Sequence, residues 1–316
     1  MGFAQQDLSS RLDQAFKGRF DLSDATDYLR WRASKLSSYP TRSSELIVEI
    51  GDLARPTEVE CAQIIMRCRT ANMAIYSSRP GTTDEHKLRQ DLAAFAGALG
   101  LGQMEGHRSA ATDGFVSLEV AKDSNRRGYI PYSNRPLTWH TDGYYNAPEN
   151  RIRAFLLHCV RDADEGGENA LLDPEITYIR LRDENPAFIE ALMHPDAMTI
   201  PENRETSGKL RPASRGPVFS IDPTSNTLHM RYSARSRNII WRDDRDTSLA
   251  CAFLADLVAG NEPLVLKHKL IPGQGLICNN VLHCRSGFDD GSLPGPTGKR
   301  LLLRARYLDR VAGTTL

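Results

Sequence analysis

The 316-residue sequence lacks the features that direct a protein to a membrane or a nucleic acid. Its 40 basic and 40 acidic residues give a formal net charge of zero, so nothing attracts the whole chain to a polyanion. No apolar run is long enough to span a bilayer, and the first residues lack the basic and apolar regions of a signal peptide. We therefore expect a cytoplasmic protein with a small-molecule substrate and no nucleic-acid or membrane partner. Homo-oligomerisation stays open.

Cysteine is present, but it forms no pattern of a zinc knuckle or a disulfide framework. None of the six cysteines belongs to a C-x-x-C pair, and their spacing is irregular. We predict buried or free thiols in a reducing cytosol. The positions are Cys61, Cys68, Cys159, Cys251, Cys278 and Cys284.

Helical patterns dominate the first part of the chain. Leu8, Leu12 and Phe16 recur at the spacing of one helix face, and further helical stretches follow. We predict that residues 1–113 form a helical N-terminal part that packs on the rest of the protein. The side chains predicted to cap helices are Asp21 or Ser23, Thr83 or Asp84, and Thr247 or Ser248.

The pattern changes after residue 113, where short apolar segments alternate with Gly, Pro, Asn and Asp. This alternation predicts many short strands, with one or two helices inserted. It favours a mainly β fold with added helices and a double-stranded β-helix (jelly-roll) core over residues 114–316. We expect the two parts to form one integrated domain. Residues 202–215 are charged and contain glycine and proline, which predicts a mobile loop.

A histidine and a carboxylate stand two positions apart within residues 137–142. We predict a strand over this stretch, and residues i and i+2 of a strand point to the same face. His140 and Asp142 would then present an imidazole and a carboxylate side by side. These are two of the three ligands of the facial triad that binds non-haem Fe(II) and leaves positions open.

His283 is the candidate for the third ligand. It follows an apolar segment that is interrupted by Asn279 and Asn280, with glycines on both sides. Two imidazoles and one hard carboxylate suit Fe(II), although zinc accepts the same set. Cys284 is adjacent to His283 and would point away from it on a strand, so we assign it a packing role.

Four ordered motifs carry a family resemblance: residues 137–143, 166–169, 279–285 and 298–306. With them the sequence resembles the taurine dioxygenase and clavaminate synthase superfamily of Fe(II)- and 2-oxoglutarate-dependent oxygenases, and most of all its glutarate 2-hydroxylase-like members. The resemblance implies a dioxygenase that uses Fe(II), 2-oxoglutarate and O2 to hydroxylate a C–H bond, with release of succinate and CO2. It implies His140, Asp142 and His283 as the metal ligands. It also implies that residues 202–215 form a lid.

Arginines near the C-terminus are candidates for binding the co-substrate. 2-Oxoglutarate is a dianion whose distal carboxylate needs a planar, two-pronged donor, and Arg300, Arg304 and Arg306 fall on one face of a predicted strand. The resemblance implies that Arg300 binds 2-oxoglutarate and that Arg304 binds the substrate. The long segment after His283 leaves a second register open, in which Arg304 and Arg306 take these roles. Asn169 stands where the superfamily often has a threonine that binds the same carboxylate.

The sequence indicates the chemical class of the substrate but not its identity. An extra arginine facing the site favours a small carboxylic acid or an amino acid. The predicted substrate contacts are Arg304, Arg306, Ser117, Glu119 and Tyr132. Desaturation or cyclisation by the same type of enzyme stays an alternative. So do a zinc protein on the same fold, which is not an oxygenase, and a non-catalytic binding module.

Overall fold

The computed structural model describes residues 18–79, 84–106, 113–121, 130–204, 210–235, 239–260, 262–290 and 299–315. Within these ranges the chain forms six α-helices and a larger number of short strands. The helices are Thr26–Ser38 (α1), Glu58–Ala71 (α2), Glu85–Ala98 (α3), Pro174–Glu184 (α4), Pro186–Met193 (α5) and Arg245–Ala259 (α6). No helix in the described ranges combines the length and the apolarity that a membrane span requires.

The strands are short, and most belong to two sheets. In chain order they are Ile47–Ile50 (β1), Met73–Ser78 (β2), Val116–Leu118 (β3), Leu137–His140 (β4), Ala154–Arg161 (β5), Glu165–Gly166 (β6), Asn169–Leu172 (β7), Met198–Ile200 (β8), Asn203–Arg204 (β9), Leu210–Arg211 (β10), Ser214–Gly216 (β11), Phe219–Ile221 (β12), Leu228–Met230 (β13), Ile240–Trp241 (β14), Leu266–His268 (β15), Gln274–Cys278 (β16), Leu282–Arg285 (β17), Phe288–Asp289 (β18) and Leu301–Tyr307 (β19).

A six-stranded sheet and a four-stranded sheet form the centre of the fold. The first has the order β1-β2-β16-β5-β19-β3, and the second has the order β15-β7-β17-β4. Only the β1–β2 pair is parallel among the described ladders of these two sheets. Smaller ladders, β11-β8-β14, β12-β13, β9-β10 and β6-β18, complete the β structure.

The larger sheet is buried on both faces, and β5 shows this most clearly. Phe155 and Leu157 belong to an apolar cluster that also contains Leu171 and Leu282 of the smaller sheet. Ala154 and Leu156 alternate with them and lie on the opposite face. There they pack in a second cluster with the side chains of α2 and α3. A strand buried on both faces reads as a continuous apolar run, which is the pattern of residues 154–157.

The N-terminal part contributes to the central sheet as well as covering it. β2 pairs with β16 through five residues, so two strands from before residue 113 extend the larger sheet. This pairing supports an integrated domain, although the boundary at residue 113 stays a prediction.

Two predicted helix caps differ from the structure. Neither Asp21 nor Ser23 caps α1, which begins at Thr26 without a side-chain cap. Helix α6 is capped by Asp244, whose carboxylate accepts hydrogen bonds from the main-chain nitrogen and the hydroxyl of Thr247. Thr247 is thus a helical residue that binds the cap, because a carboxylate three positions earlier accepts better than a hydroxyl.

Three further predictions have mixed outcomes. The candidate Asp84 does cap α3. The predicted mobile loop over residues 202–215 contains the described strands β9, β10 and the start of β11. The helix predicted around Leu8, Leu12 and Phe16 lies outside the described residues, as does the alternative cap Thr83.

A buried ion cluster fixes α1 to the β core. Lys35 is 5% exposed, and its ammonium lies 2.6 Å from carboxylate oxygens of both Asp173 and Glu175. Asp173 also caps α4 and accepts a hydrogen bond from the side chain of Asn72. One ammonium therefore compensates two buried carboxylates that come from a single helix N-terminus.

Lys35→Met should destabilise the protein by about 3–5 kcal/mol, because it removes the close cation of Asp173 and leaves Glu175 with only the longer pair to Arg19 at 4.0 Å. The measurement is the free energy of unfolding from denaturant titration. Arg30→Met on the same helix is the matched control, since its pair with Asp27 is exposed and should cost less than about 1 kcal/mol. Equal losses in the two variants would contradict a role for the buried cluster.

Candidate metal centre

The two histidines of the predicted triad lie opposite each other on neighbouring strands. β4 and β17 are antiparallel, and His140 pairs directly with His283 in the ladder. Residues directly opposite in an antiparallel pair point to the same face with their Cβ atoms about 5 Å apart. The imidazole centroids are 4.3 Å apart, which follows from this register. Two residues separated by more than 140 positions are therefore brought together by one ladder.

Asp142 lies beyond the end of β4, which corrects the prediction of a single strand through residue 142. The strand ends at His140, and the chain then turns. The carboxylate still approaches the histidine, with Asp142 Oδ1 3.7 Å from His140 Nε2. The alternation of side chains along a strand therefore does not explain why Asp142 lies near His140. Other contacts have to fix the turn.

Asn280 holds the main chain of Asp142 in place. Its side-chain oxygen accepts from the amide nitrogen of Asp142 at 2.8 Å. Its side-chain nitrogen donates to the carbonyl of Asp142 at 3.0 Å and to the carbonyl of Ile152 at 2.8 Å. The backbone of Asn280 has φ +50°, a left-handed conformation that asparagine tolerates better than most residues. Because Asn280 precedes His283 by three positions, the segment that carries the last ligand also positions the carboxylate.

Thr141 is fixed by a second set of contacts. Its amide donates to the carbonyl of Tyr232, and its hydroxyl accepts from the amide of Tyr232, both at 3.0 Å. Thr141 is fully buried. The residue between the two candidate ligands is thus tied to the end of β13.

The hydrogen bonds of the imidazoles leave one nitrogen of each ring for a metal. His140 Nδ1 lies 2.8 Å from the carbonyl of Thr138, and His283 Nδ1 lies 2.9 Å from the carbonyl of Val281. A carbonyl only accepts, so each Nδ1 carries the proton and each Nε2 keeps its lone pair. Histidine ligands commonly have their other ring nitrogen bonded to a carbonyl or a carboxylate in this way.

Burial and charge keep the three groups in the forms that bind a cation. Burial, with a contribution from His283, lowers the pKa of His140 to about 3. Burial also lowers the pKa of His283. Burial raises the pKa of Asp142, but the charges on Arg304 and Arg306 outweigh it and hold that pKa below its ordinary value. Both imidazoles are therefore neutral and the carboxyl is ionised at neutral pH.

The three groups fit a divalent cation. Their donor atoms all lie within 4.8 Å of one another. Asp142 Oδ2 is buried, accepts no hydrogen bond from the described residues, and lies 3.2 Å from Arg304 Nη1 as an ion pair. A carboxylate oxygen has more than one lone pair, so this contact leaves it able to bind a metal as well. Two imidazoles and one carboxylate suit Fe(II) and also zinc, so the donor set does not by itself choose between them.

The arginines of β19 have separate partners. Arg304 Nη1 donates to Asp142 Oδ1 at 3.2 Å, so Arg304 directly contacts a candidate ligand. Arg306 forms an ion pair with Glu105 and donates to the hydroxyl of Tyr145 at 3.2 Å. The charge of Arg306 is therefore already compensated by protein groups.

Arg300 lies in a different cleft, together with Asn169. It precedes β19 and is 5% exposed. Both residues line this cleft, together with Gly166 and Gly167. The guanidinium of Arg300 forms no hydrogen bond or ion pair with the described residues, although it lies 4.8 Å from the ring centroid of Phe288. The described residues therefore use none of its N–H donors, which leaves these donors available to a ligand.

The Gly-Gly pair of the predicted motif shapes this cleft. Gly166 and Gly167 both have positive φ, at +69° and +74°. A Cβ at Gly166 would lie 2.1 Å from the carbonyl oxygen of Gly287, and a Cβ at Gly167 would lie 3.3 Å from Arg300 Nε. Glycine is required because the chain passes close to β18 and to the guanidinium.

The other predicted substrate residues lie in varied surroundings. The hydroxyl of Ser117 accepts from Arg89 at 2.6 Å. Glu119 is exposed. Tyr132 is 8% exposed and belongs to a short 3-10 turn. The roles proposed for these three residues stay predictions.

Asn280 is the positioning residue whose role sequence reasoning missed. The sequence shows two asparagines that interrupt an apolar segment, and an asparagine before a candidate ligand is a signal of left-handed backbone. The contact with Asp142 could not be foreseen, since it depends on how two distant segments meet.

Comparison with known proteins identifies relatives of this arrangement. The family model described as "Taurine catabolism dioxygenase TauD, TfdA family" matches residues 87–306. A uridine-5'-phosphate dioxygenase of Amycolatopsis sp is 29% identical over 176 residues, which are 54% of this chain and 60% of that protein. The chain thus matches about three fifths of the length of this curated relative.

Solved structures show the same fold at lower identity. An asparagine oxygenase in complex with Fe(II), 2S,3S-3-hydroxyasparagine and succinate has a TM-score of 0.55 at 15% identity, covering 83% of this chain and 93% of that one. The non-heme iron oxygenase OrfP in complex with Fe and alpha-ketoglutaric acid has a TM-score of 0.57 at 17% identity, covering 81% of both. PvcB from Pseudomonas aeruginosa has a TM-score of 0.54 at 16% identity, covering 83% and 84%. The predicted fold class and superfamily resemblance are confirmed.

Asn280→Ala should weaken metal binding about 10–100-fold, because the carboxylate of Asp142 loses the contacts that fix its main chain. The measurement is an anaerobic titration with Co(II), followed by visible absorption. Asn226→Ala is the matched control: Asn226 also has positive φ (+49°) but lies in the exposed turn between β12 and β13. An unchanged Co(II) affinity in the correctly folded Asn280 variant would contradict the positioning role.

Proposed function

The chain belongs to the taurine catabolism dioxygenase TauD, TfdA family, and from this premise we propose that it is an Fe(II)- and 2-oxoglutarate-dependent dioxygenase. The proposed reaction hydroxylates a C–H bond of a small anionic molecule, a carboxylic acid or an amino acid. The observation that carries the proposal is the triad of His140, Asp142 and His283, whose donor atoms all lie within 4.8 Å of one another. We further propose a cytoplasmic location, which the six free cysteines support.

The triad would hold Fe(II) through His140 Nε2, His283 Nε2 and the Asp142 carboxylate. When bound, Fe(II) supplies the chemistry with O2 that couples decarboxylation of 2-oxoglutarate to succinate and CO2 with hydroxylation of the substrate. The chain keeps both imidazoles neutral and the carboxyl ionised, so metal binding requires no proton to be moved at these three groups. Phe155 contacts the ring of His283 with centroids 4.9 Å apart and closes the apolar side of the centre.

The cleft of Arg300 and Asn169 is the proposed site for the distal carboxylate of 2-oxoglutarate. The guanidinium of Arg300 has no hydrogen bond or ion pair within the part of the chain that the structure describes, whereas Arg304 is engaged by Asp142 and Arg306 by Glu105. This difference supports the register in which Arg300 binds the co-substrate. Asn169 can donate from its side-chain nitrogen to the same carboxylate. Arg300 and Arg304 lie four residues apart, roughly 13 Å along the chain, so the co-substrate would lie along β19 between the cleft and the metal.

Arg304 has the best position for a second anionic contact near the metal. Within the described ranges its only hydrogen-bond acceptor is Asp142, and its Nε is buried without a partner there. A carboxylate of the substrate or of 2-oxoglutarate could accept from it. Desaturation and cyclisation need the same triad, so they stay alternatives to hydroxylation.

The main competing function is a zinc site without oxygenase activity. Succinate formation from 2-oxoglutarate under air, with added Fe(II), separates the two. We expect slow formation of succinate even without substrate, and acceleration by the correct substrate. Tightly bound zinc with no succinate formation in any substrate panel would overturn the oxygenase proposal.

Arg300→Ala should weaken 2-oxoglutarate binding roughly 30-fold or more, because a buried carboxylate would lose its charged partner. The measurement is the visible charge-transfer absorption that develops when 2-oxoglutarate is added to the Fe(II) protein without O2. Lys267→Ala is the control, since it removes one positive charge from an exposed position on neighbouring β15. Normal binding in the Arg300 variant, with loss in Arg304→Ala, would instead support the alternative register.

A further inference from the structure

A second cleft is lined in part by Asp142 and so borders the candidate metal centre. It is separate from the cleft of Arg300 and Asn169. Its lining includes Asp142, Arg151, Ser220 and His229. Neither the triad nor the proposed co-substrate site uses the last three of these side chains.

The β12–β13 hairpin forms one wall of this cleft. Ser220 and His229 are direct partners in the antiparallel ladder, so their side chains point to the same face. Arg151 reaches the same space from the segment just after the 3-10 turn Pro148–Asn150. Three polar side chains from three segments thus converge on one volume.

None of these three side chains has a hydrogen-bond or ion-pair partner in the described part of the chain. Neighbouring charged groups are different. Arg153 pairs with Asp222 at 2.8 Å, and Arg215 pairs with Asp196 at 2.6 Å. Arg231, which also lines the cleft, donates to four main-chain carbonyl oxygens. Arg151 is therefore a cation whose donors remain available to a ligand.

The cleft carries more positive than negative charge. Burial lowers the pKa of Arg151, and the charge on Arg153 lowers it further. Burial also lowers the pKa of His229 well below its ordinary value, so its ring is neutral and offers one N–H donor. The nearby carboxylates, Asp142 and Asp222, already pair with Arg304 and Arg153. An anion in the cleft would meet one unpaired guanidinium and two neutral donors.

We propose that this cleft binds the anionic group of the substrate, an oxyanion such as a phosphate monoester or a carboxylate. Arg151 supplies the charge, and His229 and Ser220 supply neutral hydrogen bonds. This arrangement would hold the substrate next to Asp142 and so orient its remaining part toward the metal. The inference rests on the proposed function for the identity of the ligand as substrate, but the anion site itself can be tested without it.

The test measures binding of inorganic phosphate and of acetate, separately, to the protein without iron and without 2-oxoglutarate. Isothermal titration in a buffer of low ionic strength is suitable. We expect saturable binding of at least one anion with a dissociation constant on the order of 1 mM or below. Tighter phosphate binding would indicate a phosphomonoester, and tighter acetate binding would indicate a carboxylate. Failure of both anions to saturate would overturn the proposal.

Variants locate the bound anion. Arg151→Ala should weaken binding about tenfold or more, and Arg151→Lys should retain part of the affinity because it keeps the charge but loses the planar donors. The double variant Arg153→Ala/Asp222→Asn is the matched control: it removes a guanidinium two residues away together with its carboxylate partner, and should change the affinity less than about twofold. Circular dichroism checks the fold of each variant. Equal affinity in Arg151→Ala and the unchanged protein would overturn the proposal.

A last measurement separates this site from that of 2-oxoglutarate. The charge-transfer absorption of the Fe(II) protein with 2-oxoglutarate should persist when the anion that binds is added at saturation. Its loss would place the anion on Arg300 and contradict the second cleft. Because the anion titration needs neither metal nor turnover, its result is independent of whether the oxygenase proposal succeeds.

Discussion

The register of β4 against β17 is the constraint on which the candidate centre depends. It sets His140 directly opposite His283, and a shift by one residue would send one imidazole to the other face of the sheet. Two further sets of hydrogen bonds fix the chain just beyond the end of β4. Asn280 binds the main chain of Asp142, and Thr141 binds that of Tyr232. The three donor groups are therefore held close together by one strand ladder, by the hydrogen bonds of Asn280 and Thr141, and by the buried sheets beneath them.

Sequence reasoning recovered the elements whose signals are local. The apolar runs of β5 and β16 and the capping of α3 follow from periodicity and backbone chemistry. The candidate ligands His140, Asp142 and His283 were also named from the sequence, and the structure brings their donor atoms within 4.8 Å of one another. The end of β4 could not be predicted, because a strand pattern does not show that Asp142 belongs to a turn held by a distant asparagine.

The distribution of arginines shows what the sequence cannot supply. Arg300, Arg304 and Arg306 look equivalent by spacing, yet each has different surroundings in the fold. A bulge between Leu301 and Leu302 interrupts the alternation that the sequence pattern assumes. The partners then distinguish the three: none among the described residues for Arg300, Asp142 for Arg304, and Glu105 with Tyr145 for Arg306. Spacing predicts which residues share a face, whereas the acceptors around each guanidinium decide which can bind a ligand.

Three arginines stand in different relations to Asp142. Arg304 contacts its carboxylate, Arg151 lines a cleft that Asp142 also lines, and Arg300 lines a separate cleft beside the start of β19. A dianionic co-substrate and an anionic substrate would repel each other if they shared one cation. In the proposed arrangement each cleft would hold its anion on a guanidinium that has no ion-pair partner among the described residues, so the two anions would lie apart. Neither Arg300 nor Arg151 forms an ion pair with Asp142, whose described ion pair is with Arg304, so neither anion site would compete with a metal for that carboxylate.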